Sequence, residues 1–298
     1  MQVITHRSGL MPILLSHRAE GRTIGFVPTM GALHKGHLSL VAESRRRADI
    51  TVASVFVNPT QFNDPTDLEK YPRQPEQDAA MLEQAGCDYL YLPGVEDVYP
   101  EGTQPLTTFD FNGLDTRLEG ASRPGHFAGV AQVVSALLET TVPDYLCMGQ
   151  KDYQQCMIVR SLLKQMSSTP KTHPLTHSPT HPEWSAEKVQ LIICPIVRES
   201  NGLAMSSRNV RLSPELRHRA GAIYATIEYA RTLLPLLPPD TISEICTRAL
   251  NTLPDFQTDY LLVLDAETLL PVSANTKNKV VITSVIVGGV RLLDNEIG

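Results

Sequence analysis

Short apolar runs alternate with longer stretches of helical periodicity over the first two thirds of the chain. Strand-like runs followed by helix-like stretches at this spacing predict a parallel sheet with crossover helices. We therefore predict an α/β domain over residues 1–194, in which helices cover the sheet. The predicted strands are 23–27, 51–57, 88–92 and 144–148, and the predicted helices are 36–47, 78–85, 128–140 and 153–166.

The pattern changes near residue 195, after which helix-like stretches come first and strand-like runs follow. Ser213 before Pro214 is typical of a helix start, because a serine hydroxyl caps the first N–H groups and proline fits the first turn. Residues 195–298 are therefore predicted to form a smaller α+β C-terminal domain. Its predicted elements are helices 213–234 and 241–253 and strands 259–264 and 279–287.

A segment rich in proline and histidine, about 167–187, interrupts the alternation. His173, His177 and His181 stand four residues apart, a spacing that would align three imidazoles on one helix face for a metal ion. The prolines of the same segment oppose such a helix. We therefore favour a solvated loop and keep a metal site as the alternative.

Composition narrows the class of protein. The chain has 298 residues, of which 42% are hydrophobic and 19% are charged, and its net charge is −6. This balance does not favour a nucleic-acid binder, whose domain is normally strongly basic. A nucleotide substrate stays open, because a phosphate pocket needs only a few local cations and backbone N–H groups.

Cysteine usage and hydropathy bear on the compartment. The five cysteines are widely spaced and form no Cys-x-x-Cys pair, which argues against a disulfide framework and a thiolate zinc site. No signal-peptide pattern opens the chain, and no run of about 18 apolar residues suggests a membrane span. We expect a cytoplasmic enzyme with buried thiols and no membrane segment.

The strongest local signal for chemistry is the run His34-Lys35-Gly36-His37 between a predicted strand and a predicted helix. Ligands of an open parallel sheet bind beyond the carboxyl ends of its strands, where helix N-termini present unpaired N–H groups. Two imidazoles there can donate hydrogen bonds to phosphate oxygens, and so stabilise the charge that builds as pyrophosphate leaves. The alternative is a pair of surface histidines beside a turn.

Three further polar clusters lie in loops, and each has a structural alternative. In the run 149–155, Lys151 could meet a phosphate and Asp152 a ribose hydroxyl, or Asp152 could cap a helix. The run 205–209 offers two hydroxyls and a guanidinium for phosphate oxygens, or is a polar linker. The amides of 58–63 could bind a small polar acid, or form a turn. Taken together, the clusters predict an ATP site.

From residue 25 to about residue 295, apart from the proline-histidine segment, the chain resembles the pantothenate synthetase family. Several long motifs occur in the family's order, which makes the resemblance specific. They are Pro-Thr-Met-Gly-Ala-Leu-His-Lys-Gly-His at 28–37, Val-Phe-Val-Asn-Pro-Thr-Gln-Phe at 55–62, Tyr-Pro-Arg at 71–73, Arg-Pro-Gly-His-Phe at 123–127, Gly-Gln-Lys-Asp-Tyr-Gln-Gln at 149–155 and Met-Ser-Ser-Arg-Asn at 205–209.

The resemblance implies a Rossmann-like parallel-sheet domain, a smaller C-terminal domain that closes over ATP, and a homodimer. It also implies a reaction in which ATP and pantoate form pantoyl adenylate and pyrophosphate with Mg²⁺, after which β-alanine displaces AMP. Adenylation gives the carboxylate a good leaving group, so no protein nucleophile is needed. The protein's work is then positioning and charge stabilisation.

Carried over by motif, the resemblance assigns roles to individual residues. His37, which the family uses as a proton donor, is the implied catalytic residue together with His34 and Lys151. Asp78, near the Tyr-Pro-Arg motif, is a candidate metal ligand. The implied ATP ligands are Met30, Gly31, Ala32, Leu33, His34, Lys35, Gly36, His37, Gly149, Gln150, Lys151, Asp152, Val197, Met205, Ser206, Ser207 and Arg208, and the implied pantoate ligands are Gln61 and Gln155, the former also near β-alanine.

Two features depart from the family: the proline-histidine segment is longer than usual, and Ala128 stands where many relatives carry arginine, so no phosphate role is assigned there. Other classes stay open. One is another His-x-Gly-His transferase or a fragment related to class I aminoacyl-tRNA synthetases, which the low basicity opposes. The other is a nucleotide-binding regulator without catalysis, which the joint presence of both motif histidines, Lys151 and Arg208 opposes.

Overall fold

The structure, a computed structural model, describes residues 1–62, 68–69, 71–104, 108–168 and 184–298. Contacts between Cα atoms divide the chain into two compact units. The first unit comprises Met1–Gly149 and Ile158–Cys194, and the second unit comprises Gln150–Met157 and Pro195–Gly298. The assignment of 1–194 to nucleotide and pantoate binding and of 195–298 to a lid stays a prediction.

The first unit alternates strands and helices, as its hydrophobic pattern predicts. Its described strands are β1 Gln2–Ile4, β2 Ile24–Thr29, β3 Ile50–Val55, β4 Tyr89–Tyr91, β5 Tyr145–Gly149 and β6 Gln190–Cys194. Its described α-helices are α1 Arg7–Ala19, α2 Lys35–Arg47, α3 Pro75–Gln84, α4 Val95–Val98, α5 Glu119–Ser122, α6 His126–Thr141 and α7 Tyr153–Ser168, the last of which begins in the second unit. Short 3₁₀ turns cover Pro59–Gln61, Leu114–Thr116 and Ala186–Lys188.

The described strands of the first unit form a parallel sheet in the order β1-β4-β3-β2-β5-β6. From β2 the chain steps to β3 on one side and later to β5 on the other, so a topological switch point lies beside β2. Ligands of open α/β sheets bind at such a point, outside the carboxyl ends of the strands. The histidine motif, which follows Thr29 at the end of β2, therefore lies where a ligand is expected.

Apolar side chains of strands and helices fill the core of the first unit. Val27 of β2 and Val41 of α2 are completely buried, as is Leu82 of α3. The five cysteines of the chain are buried free thiols, as predicted. In the part of the chain that the structure describes, no helix is both long and apolar enough to cross a membrane.

The sequence pattern does not predict β1 and α1. The helix α1 contains Pro12 and begins without a side-chain cap, so it lacks a start signal and carries a residue that normally interrupts helices. Leu10 and Leu14 of α1 are completely buried. Tertiary packing of this apolar face therefore stabilises a helix that the local signals do not favour.

The second unit is α+β, in agreement with the predicted class. Its described strands β7 Phe256–Asp265, β8 Lys279–Val287 and β9 Val290–Ile297 form an antiparallel sheet in the order β7-β8-β9. Its described helices are α8 Pro214–Arg219, α9 Ala222–Leu233 and α10 Pro239–Asn251, and 3₁₀ turns cover Gln150–Asp152 and Ser207–Arg211.

Two details of this unit differ from the prediction. The helix predicted over 213–234 is broken at Gly221, where a Cβ would lie 2.3 Å from the carbonyl oxygen of Asn201. Strand β9 is not predicted, because Asp294 and Asn295 interrupt its apolar pattern. The start of α8 is confirmed, since the Ser213 hydroxyl accepts a hydrogen bond from the N–H of Leu216 at 3.2 Å.

Glu139 of α6 should make the stability of the protein depend on pH. Burial raises the pKa of its carboxyl from 4.5 to about 7, and the charge of Arg7 opposes this effect only in part. The folded protein therefore binds a proton that the unfolded chain releases, so this stabilisation is complete below pH 4.5 and is lost as the pH rises through about 7. Between these values, the free energy of unfolding should fall by roughly 2–3 kcal/mol relative to Glu139→Gln. Urea unfolding at a series of pH values measures the difference, and identical pH profiles of the two proteins would contradict it.

Candidate active site

The loop after β2 has a left-handed backbone that a buried carboxylate supports. Gly31 and Ala32 have φ angles of 82° and 50°, a region that is costly for a residue with a Cβ. The N–H of Ala32 donates to Oδ2 of Asp78 at 3.0 Å, and the N–H of Leu33 donates to Oδ1 at 2.8 Å. Successive N–H groups in such a conformation form a small anion-binding concavity. Asp78, which is 1% exposed, fills this concavity and fixes the loop.

His34 and His37 cap the start of α2 reciprocally. Nδ1 of His34 accepts a hydrogen bond from the N–H of Gly36 at 3.1 Å, and Nδ1 of His37 accepts one from the N–H of His34 at 3.3 Å. These are the N-cap and N3 positions of a capping box, which explains the spacing of the motif. A neutral imidazole that accepts at Nδ1 carries its proton on Nε2. Both rings, with centroids 4.1 Å apart, therefore have an Nε2–H donor beside a helix N-terminus, where anions are favoured.

Gln61 lies beside the same loop. Its Nε2 lies 2.8 Å from Sδ of Met30, and its Oε1 accepts a hydrogen bond from Nδ2 of Asn58 at 3.2 Å. Asn58 is buried, and its Oδ1 accepts the hydroxyl of Tyr99 at 2.7 Å. The amide oxygen of Gln61 is thus engaged by Asn58, which turns the amide nitrogen towards Met30. The structure therefore brings together the loop Met30–His37, Gln61 and Asp78 within the first unit.

The backbone of Gln61 is held by two residues that are not among the predicted site residues. A ring nitrogen of His126, Nδ1, lies 2.8 Å from the carbonyl oxygen of Gln61, and Nη2 of Arg123 donates to the same oxygen at 3.3 Å. Both residues belong to the Arg-Pro-Gly-His-Phe motif, so the motif was a usable signal. The contribution of Tyr99 has no signal in the sequence, because this residue directly follows α4 and lies 41 residues from Asn58.

The candidates at 149–155 fall on both units. Gly149 ends β5 in the first unit, whereas Gln150–Asp152 form a 3₁₀ turn in the second. Nζ of Lys151 makes an ion pair with Oδ1 of Asp152 at 2.9 Å. The carboxylate of Asp152 is 46% exposed, so the pair contributes little to stability and Lys151 can exchange it for a phosphate. Gln155 is half-buried in the first turn of α7.

The candidates at 197 and 205–208 lie together in the second unit. The N–H of Met205 donates to the carbonyl oxygen of Val197 at 2.9 Å. The Ser206 hydroxyl accepts the N–H of Arg208 at 3.2 Å and thereby caps the 3₁₀ turn Ser207–Arg211. The segment is therefore a capped turn that follows a hairpin, and it places Ser207 and Arg208 at the start of that turn.

The assignment of Asp78 to a metal stays a prediction, and its contacts support a different role. Both carboxylate oxygens accept N–H groups of the loop, and Nε2 of Gln74 also donates to Oδ1 at 3.3 Å. This arrangement does not fit Mg²⁺, which requires near-octahedral oxygen ligands. Among the described residues, no group of three or more His, Cys, Asp and Glu side chains could hold a metal ion. The alternative metal ligands His173, His177 and His181 lie outside the described residues.

Comparison with known proteins bears on the substrates of this site. The family model described as pantoate-beta-alanine ligase matches residues 2–297. A pantothenate synthetase of Porphyromonas gingivalis is 43% identical over 297 residues, which are 99% of this chain and 98% of the relative. A pantoate–β-alanine ligase of Schizosaccharomyces pombe is 40% identical over 302 residues, with the same coverage of both chains.

Solved structures agree with this result. The pantothenate synthetase of Thermus thermophilus has a TM-score of 0.84 and 38% identity, with 99% of each chain covered. The pantoate-beta-alanine ligase of Francisella tularensis, complexed with beta-gamma ATP and beta-alanine, has a TM-score of 0.77 and 32% identity, with 100% of this chain and 97% of that chain covered. With its sequence matched almost from end to end and its fold shared, the chain belongs to the pantoate–β-alanine ligase family.

Proposed function

We propose that this protein condenses pantoate with β-alanine to form pantothenate, using ATP and passing through pantoyl adenylate. The observation that carries the proposal is the reciprocal cap of His34 and His37, which puts two imidazole N–H donors beside a helix N-terminus. A triphosphate is recognised by such donors together with cationic side chains. Membership of the family supports the choice of substrates, and one solved relative was complexed with ATP and β-alanine.

In the first half-reaction, a carboxylate oxygen of pantoate attacks the α-phosphorus of ATP, and the bond from this phosphorus to the leaving pyrophosphate breaks. Negative charge builds on the pyrophosphate as it leaves. We assign its stabilisation to the Nε2–H groups of His34 and His37, which donate hydrogen bonds to it and keep their protons, and to the cationic side chains of Lys151 and Arg208. Donors that are fixed before the reaction lower its barrier more than they stabilise bound ATP. The remaining ATP ligands of the proposal are Met30–Leu33, Lys35, Gly36, Gly149, Gln150, Asp152, Val197 and Met205–Ser207.

In the second half-reaction, the amine of β-alanine attacks the acyl carbon of the adenylate. The bond from this carbon to the AMP oxygen breaks, AMP leaves, and the amine loses its proton as the amide forms. We assign Gln61 and Gln155 to hold the pantoyl group, with Gln61 also close to β-alanine. Holding the two reactants in contact lowers the barrier by reducing the entropy that the step must lose.

We propose that Mg²⁺ enters as the counterion of the nucleotide. Mg²⁺ keeps several waters and is bound largely through substrate phosphates in sites of this kind. When bound, it neutralises phosphate charge. No step of the proposed reaction is assigned to a protein ligand of the metal, because the contacts of Asp78 do not fit one.

We further propose that the protein is a cytoplasmic homodimer. The family resemblance supports the dimer, and the buried free thiols fit a reducing compartment. Light scattering should give twice the chain mass of 32.8 kDa. A mass of one chain at working concentration would contradict the dimer.

The reaction is tested by following AMP with purified protein, Mg²⁺, ATP, pantoate and β-alanine. With all substrates present, we expect AMP and pantothenate in equal amounts. When β-alanine is omitted, we expect no AMP, and release of pyrophosphate only up to one equivalent of enzyme. Exchange of labelled pyrophosphate into ATP, in the presence of pantoate alone, reports the adenylate. Normal ATP binding without any turnover would instead identify a regulator that has lost catalysis.

Gln61 offers a prediction about specificity. Gln61→Ala should raise the KM for pantoate about 10-fold to 30-fold, because a buried hydrogen bond to the substrate is lost. The KM for ATP should change by less than about threefold, since the ATP donors remain. Exposed Gln84→Ala serves as the control and should leave both constants unchanged. Steady-state kinetics measures both, and an equal rise in the two KM values would show that Gln61 is not selective for pantoate.

A further inference from the structure

Strand β9 carries two polar residues in its interior where apolar residues are normal. Asp294 is 2% exposed and Asn295 is completely buried. Burying such groups is costly unless they are hydrogen-bonded. Their partners therefore show what the strand gains from them.

Both polar atoms of the Asn295 side-chain amide form hydrogen bonds with a single turn. Its Nδ2 donates to the carbonyl oxygens of Gln150 and Lys151, both at 3.0 Å. Its Oδ1 accepts Nε2 of Gln150 at 3.2 Å. Two donors on one nitrogen match two successive carbonyls, a pattern that neither aspartate nor serine can reproduce in full. The backbone from which the Lys151 side chain projects is thus fixed by a residue 144 positions later in the chain.

Asp294 supports the second candidate nucleotide-binding segment, Met205–Arg208, through hydrogen bonds to the hairpin that precedes it. Its carboxylate accepts Nη1 and Nη2 of Arg198 at 2.7 and 2.9 Å. Burial raises the pKa of this carboxyl, and the guanidinium opposes that effect. Arg198 also donates to the carbonyl oxygen of Gly202 at 3.1 Å and lies 3.7 Å from the centre of the Tyr224 ring. This cluster supports the hairpin 198–204, which leads directly into Met205.

We propose that Asn295 is a positioning residue for Lys151: it fixes the Gln150–Lys151 turn on the same strand that, through Asp294, supports the hairpin before Met205–Arg208. Strand β9 thereby supports both candidate nucleotide-binding segments of the second unit. The backbone that carries Lys151 is then ordered before its side chain meets the phosphates of a nucleoside triphosphate. Binding therefore costs less conformational entropy than it would with a mobile turn. This inference rests on the proposed role of Lys151 in ATP binding.

The decisive experiment is a double-mutant cycle between Asn295 and Lys151. Asn295→Ala should raise the KM for ATP about 10-fold or more in the wild-type background, and by less than about twofold when Lys151 is already alanine. A residue that only stabilises the fold would produce the same fold-change in both backgrounds. That result would overturn the inference.

Graded and matched variants keep the test decisive. Asn295→Ser retains one donor, so its KM for ATP should lie between those of wild type and Asn295→Ala, and it carries the test if the alanine variant does not fold. Asn251→Ala is the control, because the side chain of Asn251 also forms a hydrogen bond with the backbone, accepting the N–H of Thr258 at 2.8 Å, but does so at the end of α10. It should lower stability without changing the KM for ATP. Equal KM values for Asn295→Ser and wild type would contradict the inference.

Binding of MgATP, measured by calorimetry on the same variants, separates this inference from the proposed function. If wild type binds MgATP but produces no AMP, the proposed reaction is wrong. The double-mutant cycle between Asn295 and Lys151 still tests the role of Asn295, with the Kd for MgATP measured in place of the KM for ATP. If wild type turns over normally and the losses are equal in both backgrounds, only the inference is wrong. If wild type binds no MgATP, both are wrong.

Discussion

Replacing His37 by alanine should reduce kcat about 10²-fold to 10³-fold, the usual loss when one preorganised donor to a developing charge is removed. Nδ1 of His37 is engaged by the N–H of His34, so its proton lies on Nε2 and its orientation is fixed before ATP binds. The hydrogen bond from Nε2–H of His37 is strongest when negative charge has built up on the leaving pyrophosphate. We therefore expect the KM for ATP to change much less than kcat. Pyrophosphate exchange should fall in parallel with overall turnover, since the defect lies in adenylation.

The same substitution removes half of a capping box, so stability and catalysis must be separated. Glutamate at the third helical position can accept the N–H of the N-cap residue but has no N–H to donate, so His37→Glu should restore most of the lost stability. It should not restore kcat if the Nε2–H donor is what the reaction needs. Recovery of both by glutamate would reduce His37 to a helix cap. His173→Ala is the second control, and a loss comparable to that of His37→Ala would mean that the proline-histidine segment takes part in the chemistry.

The part of the site that follows from local sequence is the part that could be predicted. The start of α2 depends on four adjacent residues, His34 to His37, because a cap and the N–H groups it satisfies are close in sequence. The alternation that predicts the parallel sheet is likewise local to each element. The motif and its place beyond β2 were therefore predictable without long-range contacts.

What the sequence could not reveal depends on contacts between distant residues. Asp78 reads as an acidic residue of an ordinary helix, and only the fold shows that it accepts the N–H groups of Ala32 and Leu33. The hydrophobic pattern does not predict β9, because Asp294 and Asn295 are polar although both are buried. Strands are predicted on the assumption that their buried positions are apolar. In β9, the local rule thus fails at the two residues through which the strand supports the candidate nucleotide segments of the second unit.

Asp78→Ala in α3 should damage both the stability of the protein and its activity. Ala32 and Leu33 would lose the acceptors of their N–H groups, each at a cost of about 1–3 kcal/mol, so the free energy of unfolding should fall by about 2–6 kcal/mol. The left-handed backbone at Gly31 would lose its support, and the histidines that follow would lose their position. We expect kcat/KM for ATP to fall at least about 10²-fold. Urea unfolding and steady-state kinetics at about 10 °C, where a destabilised variant is expected to stay folded, measure the two effects.

Mg²⁺ dependence decides between the positioning role of Asp78 and the metal role that the family resemblance suggested. Asp78→Asn keeps one acceptor and should lie between wild type and Asp78→Ala in both stability and kcat/KM. Glu76→Ala removes an exposed acid from the same first turn of α3 and controls for the helix dipole. If Asp78 supports the loop, the Mg²⁺ concentration for half-maximal rate should be the same in wild type, Glu76→Ala and Asp78→Asn. A rise of about tenfold or more in Asp78→Asn alone, with unchanged stability, would show instead that the carboxylate binds the metal and that its contacts with the loop are secondary.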